Sequence, residues 1–136
     1  MLQDRLKNGA PLMLSVLRIM AGLLFLAHGT QKFLSFPAGE YAGIGWAFAH
    51  PGAYAGLIEL VTGALIAVGL FTRPAAFLAS GTMAAAYFMG HAPQNFWPVN
   101  NGGDAAILYC FVFLYLVFAG PGRLSLDAKL SQARRG

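Results

Sequence analysis

The sequence predicts an all-α integral membrane protein: a four-helix bundle forming one domain over residues 1–136, with both termini cytoplasmic. Three observations predict it. Of the 136 residues 57% are hydrophobic and 10% charged, against about 25% charged in a soluble domain, so too little polar surface is available to face water. The apolar residues form four blocks of near-spanning length, and almost all Lys and Arg residues lie on one side of those blocks.

The first block covers residues 12–34, longer than the roughly 20 residues a span requires. Arg5 and Lys7 precede it as in a secretion signal, but the block exceeds the about 7–15 apolar residues of such a signal, so a span is expected. The second, residues 53–71, follows Pro51-Gly52. The third, residues 74–91, opens on Pro74, whose missing N–H costs nothing in a first helical turn. The fourth, residues 104–120, stops at Gly120-Pro121-Gly122. It is short for a span and is expected to borrow Gly102-Gly103 or to sit in a thinned bilayer. Four segments cannot close a barrel, and lipid forbids an open sheet edge, so the blocks are helices.

Orientation comes from the basic residues. Arg5, Lys7 and Arg18 start the first block, Arg73 lies in the turn between the second and third, and Arg123, Lys129, Arg134 and Arg135 follow the fourth. Loops 35–52 and 92–103 carry no Lys or Arg, and only Lys32 lies on their side. Positive charge is retained in the cytoplasm, so both ends and the Arg73 turn face inward and the two loops outward. The net charge of +4 marks no nucleic-acid partner, because the basic residues form no patch. Cys110 stands alone in an apolar run, so no disulfide or CxxC chemistry is expected. A short repeat, H-x-x-Q-x-F, occurs at His28–Phe33 and again at His91–Phe96. It suggests two parallel hairpins related by an axis along the membrane normal.

Ionisable groups in lipid cost about 2.5–3.5 kcal/mol each on insertion scales, so each needs a reason. His28 and Lys32 share a face near the outer end of the first span. Glu59 is expected one to two turns inside the outer end of the second, on a face with Gly52, Gly56 and Gly63 that should pack into the bundle. Tyr87 and His91 extend a stripe with Ser80 and Ala84 on the third, and Asp104 begins the fourth. His28, Lys32, Glu59, Tyr87, His91 and Asp104 are therefore the candidate lining of an outward-opening ligand pocket floored by Glu59. Plainer readings stand beside this one. Lys32 snorkels, Glu59 makes a structural ion pair with Lys32 or a hydrogen bond to His28, His91 is interfacial, and Asp104 caps its helix. Arg18 is expected to snorkel from the inner half.

No nucleophilic triad is indicated, since no serine lies near an outer histidine, and no catalytic residue is assigned. Metal or haem is not expected: His28, His91, Glu59 and Asp104 have no ligand-like spacing. A quinone head group matches better. It needs a donor at each carbonyl, a carboxylate or imidazole for protons, and an apolar route for its tail, and His28, Lys32, Glu59 and Tyr87 offer that chemistry.

The runs LLFLAHGTQKF (23–33), LIELVTGALIAVGLFTR (57–73) and NGGDAAILYCFVFLYLVFAGPG (101–122) resemble the DoxX family of small bacterial membrane proteins. The HG-x-x-K-F and GG-[DE] signatures carry the resemblance, which extends from about Leu17 to Asp127. It implies a multi-pass protein of the bacterial cytoplasmic (inner) membrane, associated in some members with quinol oxidase or thiosulfate:quinone oxidoreductase. His28, Lys32, Glu59 and Asp104 are characteristic positions without an assigned role. The paired cysteines of related redox proteins are missing, which speaks against thiol chemistry. The expectation is thus a quinone-interacting component of a membrane redox system, accessory to an oxidoreductase, with the bilayer, a redox subunit or a second copy as partners. The competing expectation is a non-enzymatic scaffold, or a small transporter binding a metabolite or anion in the same pocket.

Overall fold

The computed structural model describes residues 1–136, all of them in helices, turns and connecting loops with no strand. Helix α1 (Leu2–Leu34) starts ten residues before the first apolar block and carries Pro11 within it. It ends at Ser35 in the left-handed region (φ 54°), whose N–H returns to Gln31 O. A loop with a single 3₁₀ turn (Ile44–Trp46) leads to α2 (Pro51–Val68). There Pro51 takes the first turn and His50 Nδ1 accepts from Gly52 N–H at 2.9 Å. Gly69 ends α2 at φ 71°. Helix α3 (Thr72–Ala86) follows at once and widens into a π turn over Tyr87–His91. A short α4 (Pro98–Asn101) precedes α5 (Asp104–Ala119), and α6 (Leu126–Ala133) closes the chain.

Helices α1 and α2 form one antiparallel pair and α3 and α5 the other, with α2 against α3 between them. Glycine sets the first register. A Cβ on Gly29 would come 2.5 Å from Leu60 N, on Gly22 2.6 Å from Ala67 N, and on Gly63 2.8 Å from Leu26 Cα. All three approach backbone, so the two helices are in contact without side chains between them, as small residues permit in membrane bundles. Gly56 and Gly63 therefore do lie on the packing face, whereas Gly52 meets only its own cap His50 and the tip of Ile44. In the second pair Ser80 Oγ donates to Cys110 O at 2.8 Å, which anchors α3 to α5 at mid-height. The core between the pairs is Phe25, Ile66, Phe113 and Leu116 laid against Ala75, Ala76 and Ala79. Only 28 of 136 residues are buried, and Leu24, Val61, Phe77, Phe111 and Phe118 are exposed around the bundle, an apolar girdle far beyond what a water-soluble monomer shows. Two helices, α1 and α2, are long and apolar enough to cross a membrane, and α5 is apolar but 16 residues long.

Charged side chains tie off one end of the bundle. Arg18 is fully buried, so it does not snorkel. Its Nε donates to Pro121 O at 2.8 Å, its Nη1 to Ile66 O at 2.6 Å and Ala67 O at 2.7 Å, and its Nη2 to Leu124 O. Ile66 and Ala67 are among the last four carbonyls of α2, the negative end of its dipole, so the guanidinium serves as a C-terminal cap supplied by another helix. Arg73 does the same for α5, donating to Val117 O and Phe118 O at 2.7 Å. Asp127 of α6 accepts from the Phe71 and Thr72 amides at 2.9 and 3.0 Å, capping the start of α3. The tight turn at Gly69–Thr72 is thus held by α6 from below.

Candidate functional site

At the opposite end of the bundle a buried ion pair joins α1 to α2. Lys32 Nζ lies 2.7 Å from Glu59 Oε2, with the two side chains 14% and 5% exposed. Three local features create it. Helical Cα–Cβ bonds tilt toward the N-terminus, so the Lys32 stem, two residues from the end of α1, runs back into the bundle. Gly56 leaves the groove that the stem occupies, since a Cβ there would stand 2.8 Å from Lys32 Cδ. Glu59 then meets the ammonium from within α2. Eight residues past Pro51, at about 1.5 Å per residue, Glu59 lies near the middle of the 18-residue α2. That is just over two turns in, at the inner limit of the one to two expected, and Lys32 reaches down to it.

His28 shares the Lys32 face of α1 but is exposed and does not bond to Glu59. Its ring meets Tyr109 of α5 edge-on, centroids 6.0 Å apart and planes at 89°. Tyr109 in turn stacks on Phe113 at 5.6 Å and tilts against Phe25 at 5.3 Å. Tyr109 was not among the residues the sequence marked. The available signal was a phenol within the fourth apolar block, one residue before Cys110.

Tyr87 and His91 form a second group, separate from the ion pair. Their rings stack at 6.4 Å and 23°, and both are held by Asn101. The Asn101 amide donates to Tyr87 Oη at 3.2 Å and to Asn95 O at 2.9 Å, its Oδ1 accepts from Gly103 N–H at 2.8 Å, and its carbonyl pairs with His91 Nδ1 at 3.0 Å. Asn101 is buried and every polar atom of its side chain is used, so this is a clamp on the 92–103 loop. Two asparagines before Gly102-Gly103 were its only sequence trace. The π turn explains why the H-x-x-Q-x-F repeat does not repeat in structure: His28 lies inside a continuous helix, whereas His91 closes one.

Asp104 is exposed in the first turn of α5 and makes no side-chain capping bond; Gly103 holds the cap position. It still favours the positive end of the helix dipole. The six expected residues thus divide into the Lys32–Glu59 pair with His28 beside it, the Tyr87–His91 stack, and Asp104 alone. His28, Glu59, His91 and Asp104 do not gather into a metal-ligating group.

The DoxX family model matches residues 13–92. An uncharacterized protein of Haemophilus influenzae is 43% identical over 129 residues, covering 93% of this chain and 96% of its own length. An uncharacterized membrane protein of Mycobacterium tuberculosis is 31% identical over 141 residues, covering 92% of this chain and 85% of its own. No solved structure matches the chain.

Proposed function

The chain belongs to the DoxX family and is a membrane protein, and from that premise we propose that it is a four-pass protein of the cytoplasmic membrane that binds a quinone head group at the Lys32 end. The spans in this reading are α1 from about residue 12, α2, α3 with its π turn, and α5. The positive-inside tendency places both termini and Arg73 in the cytoplasm.

One observation carries the binding reading. His28 is an exposed imidazole on an apolar helix face, its ring set edge-on to Tyr109, with a buried Lys–Glu pair one turn further along α1. A polar ring turned toward lipid is costly without a partner, and a quinone carbonyl arriving from the bilayer supplies one. His28 would donate to that carbonyl, and exposed Leu24 and Leu57 would flank the isoprenoid tail. Bound there, a quinone supplies a two-electron, two-proton couple. Glu59 would accept or return the proton, with Lys32 holding its charge in place, while electrons pass through a partner subunit. The residues thus fit the head group, with His28 as the accessible donor and the ion pair behind it.

The test is extraction of quinone from the purified protein, with titration of a short-tailed analogue into wild type and His28→Ala. Copurified quinone and an affinity weakened by roughly tenfold, about one hydrogen bond, are expected. No copurified quinone, together with an affinity unchanged in His28→Ala, would reject the site. A scaffold is the second reading, and the observation favouring it is that Lys32 and Glu59 satisfy each other.

A further inference from the structure

A second feature lies at the Arg18 end, where a shallow hollow of about 320 Å³ opens between the end of α2 and the start of α6. Its walls are Arg123 and Lys129 on one side and Val68, Leu124 and Leu126 on the other, around Ser125. Arg123 and Lys129 are exposed, and neither belongs to the ion pairs of the chain, which are Met1–Asp4 and Lys32–Glu59. No carboxylate lines this hollow, in contrast to its neighbour, where Asp127 stands among the walls. Ser125 has no hydroxyl proton to offer an anion, since it donates to Gly122 O and accepts from Ala128 N–H as the cap of α6. What remains is two free cations beside an apolar wall in which Val68 is 50% exposed, Leu124 53% and Leu126 41%.

This arrangement is fixed by the fold. Leu124 is gripped from both sides, its carbonyl by Arg18 and its amide by Ser15 Oγ at 3.0 Å. Asp127 N–H donates to Gly69 O at 2.9 Å while its carboxylate caps α3. Arg123 and Lys129 therefore flank a segment anchored at Leu124 and Asp127, and their spacing does not depend on a flexible tail.

Unpaired cations next to exposed aliphatic side chains suit a ligand that is anionic at one end and apolar at the other. We infer that the hollow binds an anionic phospholipid, with its phosphate between Arg123 and Lys129 and the start of an acyl chain over Val68 and Leu126. The volume suits a headgroup, small sites beginning at about 300 Å³. Basic residues at a membrane surface attract such lipids one by one. The inference rests on the proposed membrane topology only in placing this end at a headgroup layer. Lipid preference is read in detergent and sidedness by thiol labelling, so the two fail separately.

The experiment is native mass spectrometry of the full chain, delipidated in detergent and given phosphatidylglycerol or phosphatidylcholine at equal concentration. Wild type is expected to retain phosphatidylglycerol preferentially. The preference should fall roughly fivefold in Arg123→Gln or Lys129→Gln and roughly 30-fold in the double variant, as two surface cations are removed. Arg134→Gln/Arg135→Gln, altering the neighbouring hollow, should leave it within about twofold. Val68→Ser should weaken retention with both cations still present. Equal retention of the two lipids by wild type, or an undiminished preference in the Arg123/Lys129 double variant, would overturn the site. Displacement by inorganic phosphate at the lipid's own concentration would reassign it to a free anion and overturn the lipid.

Discussion

Arg18 and Glu59 are the two deeply buried charges of the bundle, and they are stabilised in different ways. Glu59 has an ionic partner in Lys32; Arg18 has four backbone carbonyls from α2 and the 121–124 segment. An isolated buried charge is costly, whereas replacement of both members of an ion pair by apolar groups is often neutral. Lys32→Met or Glu59→Ala alone should therefore destabilise the solubilised protein by about 3–5 kcal/mol, with Glu59→Gln milder. Lys32→Met/Glu59→Leu should recover most of that loss in thermal melting. If the double variant melts like wild type but no longer binds the quinone analogue, the pair serves the ligand; retained binding would assign it to architecture alone. Arg18 allows no such rescue. A lysine has three donors on one nitrogen and cannot span carbonyls that the planar fork reaches. Arg18→Lys should lower stability by about 3 kcal/mol, since each orphaned buried acceptor costs about 1–3 kcal/mol. An Arg18→Lys melting curve superimposable on wild type would show that the carbonyls find other donors.

Among the elements, the α1–α2 seam depends on glycine where the second pair depends on alanine and a Ser80 hydrogen bond. A methyl group at Gly29 would press on Leu60 N and Cα, which are backbone and cannot rotate away. Gly29→Ala should therefore cost about 1–3 kcal/mol by overpacking and shift the Lys32–Glu59 register with it. Gly81, in the interior of α3, has nothing within 4 Å of an added Cβ. Gly81→Ala should be neutral or gain up to about 1 kcal/mol from helix propensity. Thermal melting of the two variants side by side checks the contrast, and equal effects would contradict the seam. Helix α6 was no part of the four apolar blocks, yet its Asp127 is the residue that caps α3.

At the level of the whole molecule, the basic residues act twice. Their uneven distribution is what the proposed orientation rests on, and two of them, Arg18 and Arg73, are consumed as caps on the carbonyl ends of α2 and α5. In that proposal, the residues that would hold the chain inward and those that close its helices lie at the same end of the bundle. Single cysteines at 40, 73 and 100 in a Cys110→Ala background, treated with an impermeant thiol reagent in intact cells, should label at 40 and 100 only. Labelling at 73 with protection at 40 and 100 would invert the topology.

Much of this was legible in the sequence because it depends on composition and local rules. Too few charges to face water, block lengths bounded by Pro and Gly, and basic residues gathered, Lys32 apart, at one set of block ends are properties of the chain before it folds. They determined the all-helical class and the positions of α2, α3 and α5 within a few residues, and left Glu59 with Lys32, His28 or a ligand as its partner. Family membership was legible for the same reason, as HG-x-x-K-F and GG-D are contiguous. Tertiary structure alone decided what each charge touches. The depth of Lys32 follows from the groove at Gly56, the burial of Arg18 from carbonyls 48 and 103 residues away, and the separation of Tyr87 and His91 from Glu59 from the clamp at Asn101. Helical periodicity fixes which face a side chain leaves from, but not which helix end lies opposite; that depends on register between helices, and glycine contacts set it only once the chain has packed.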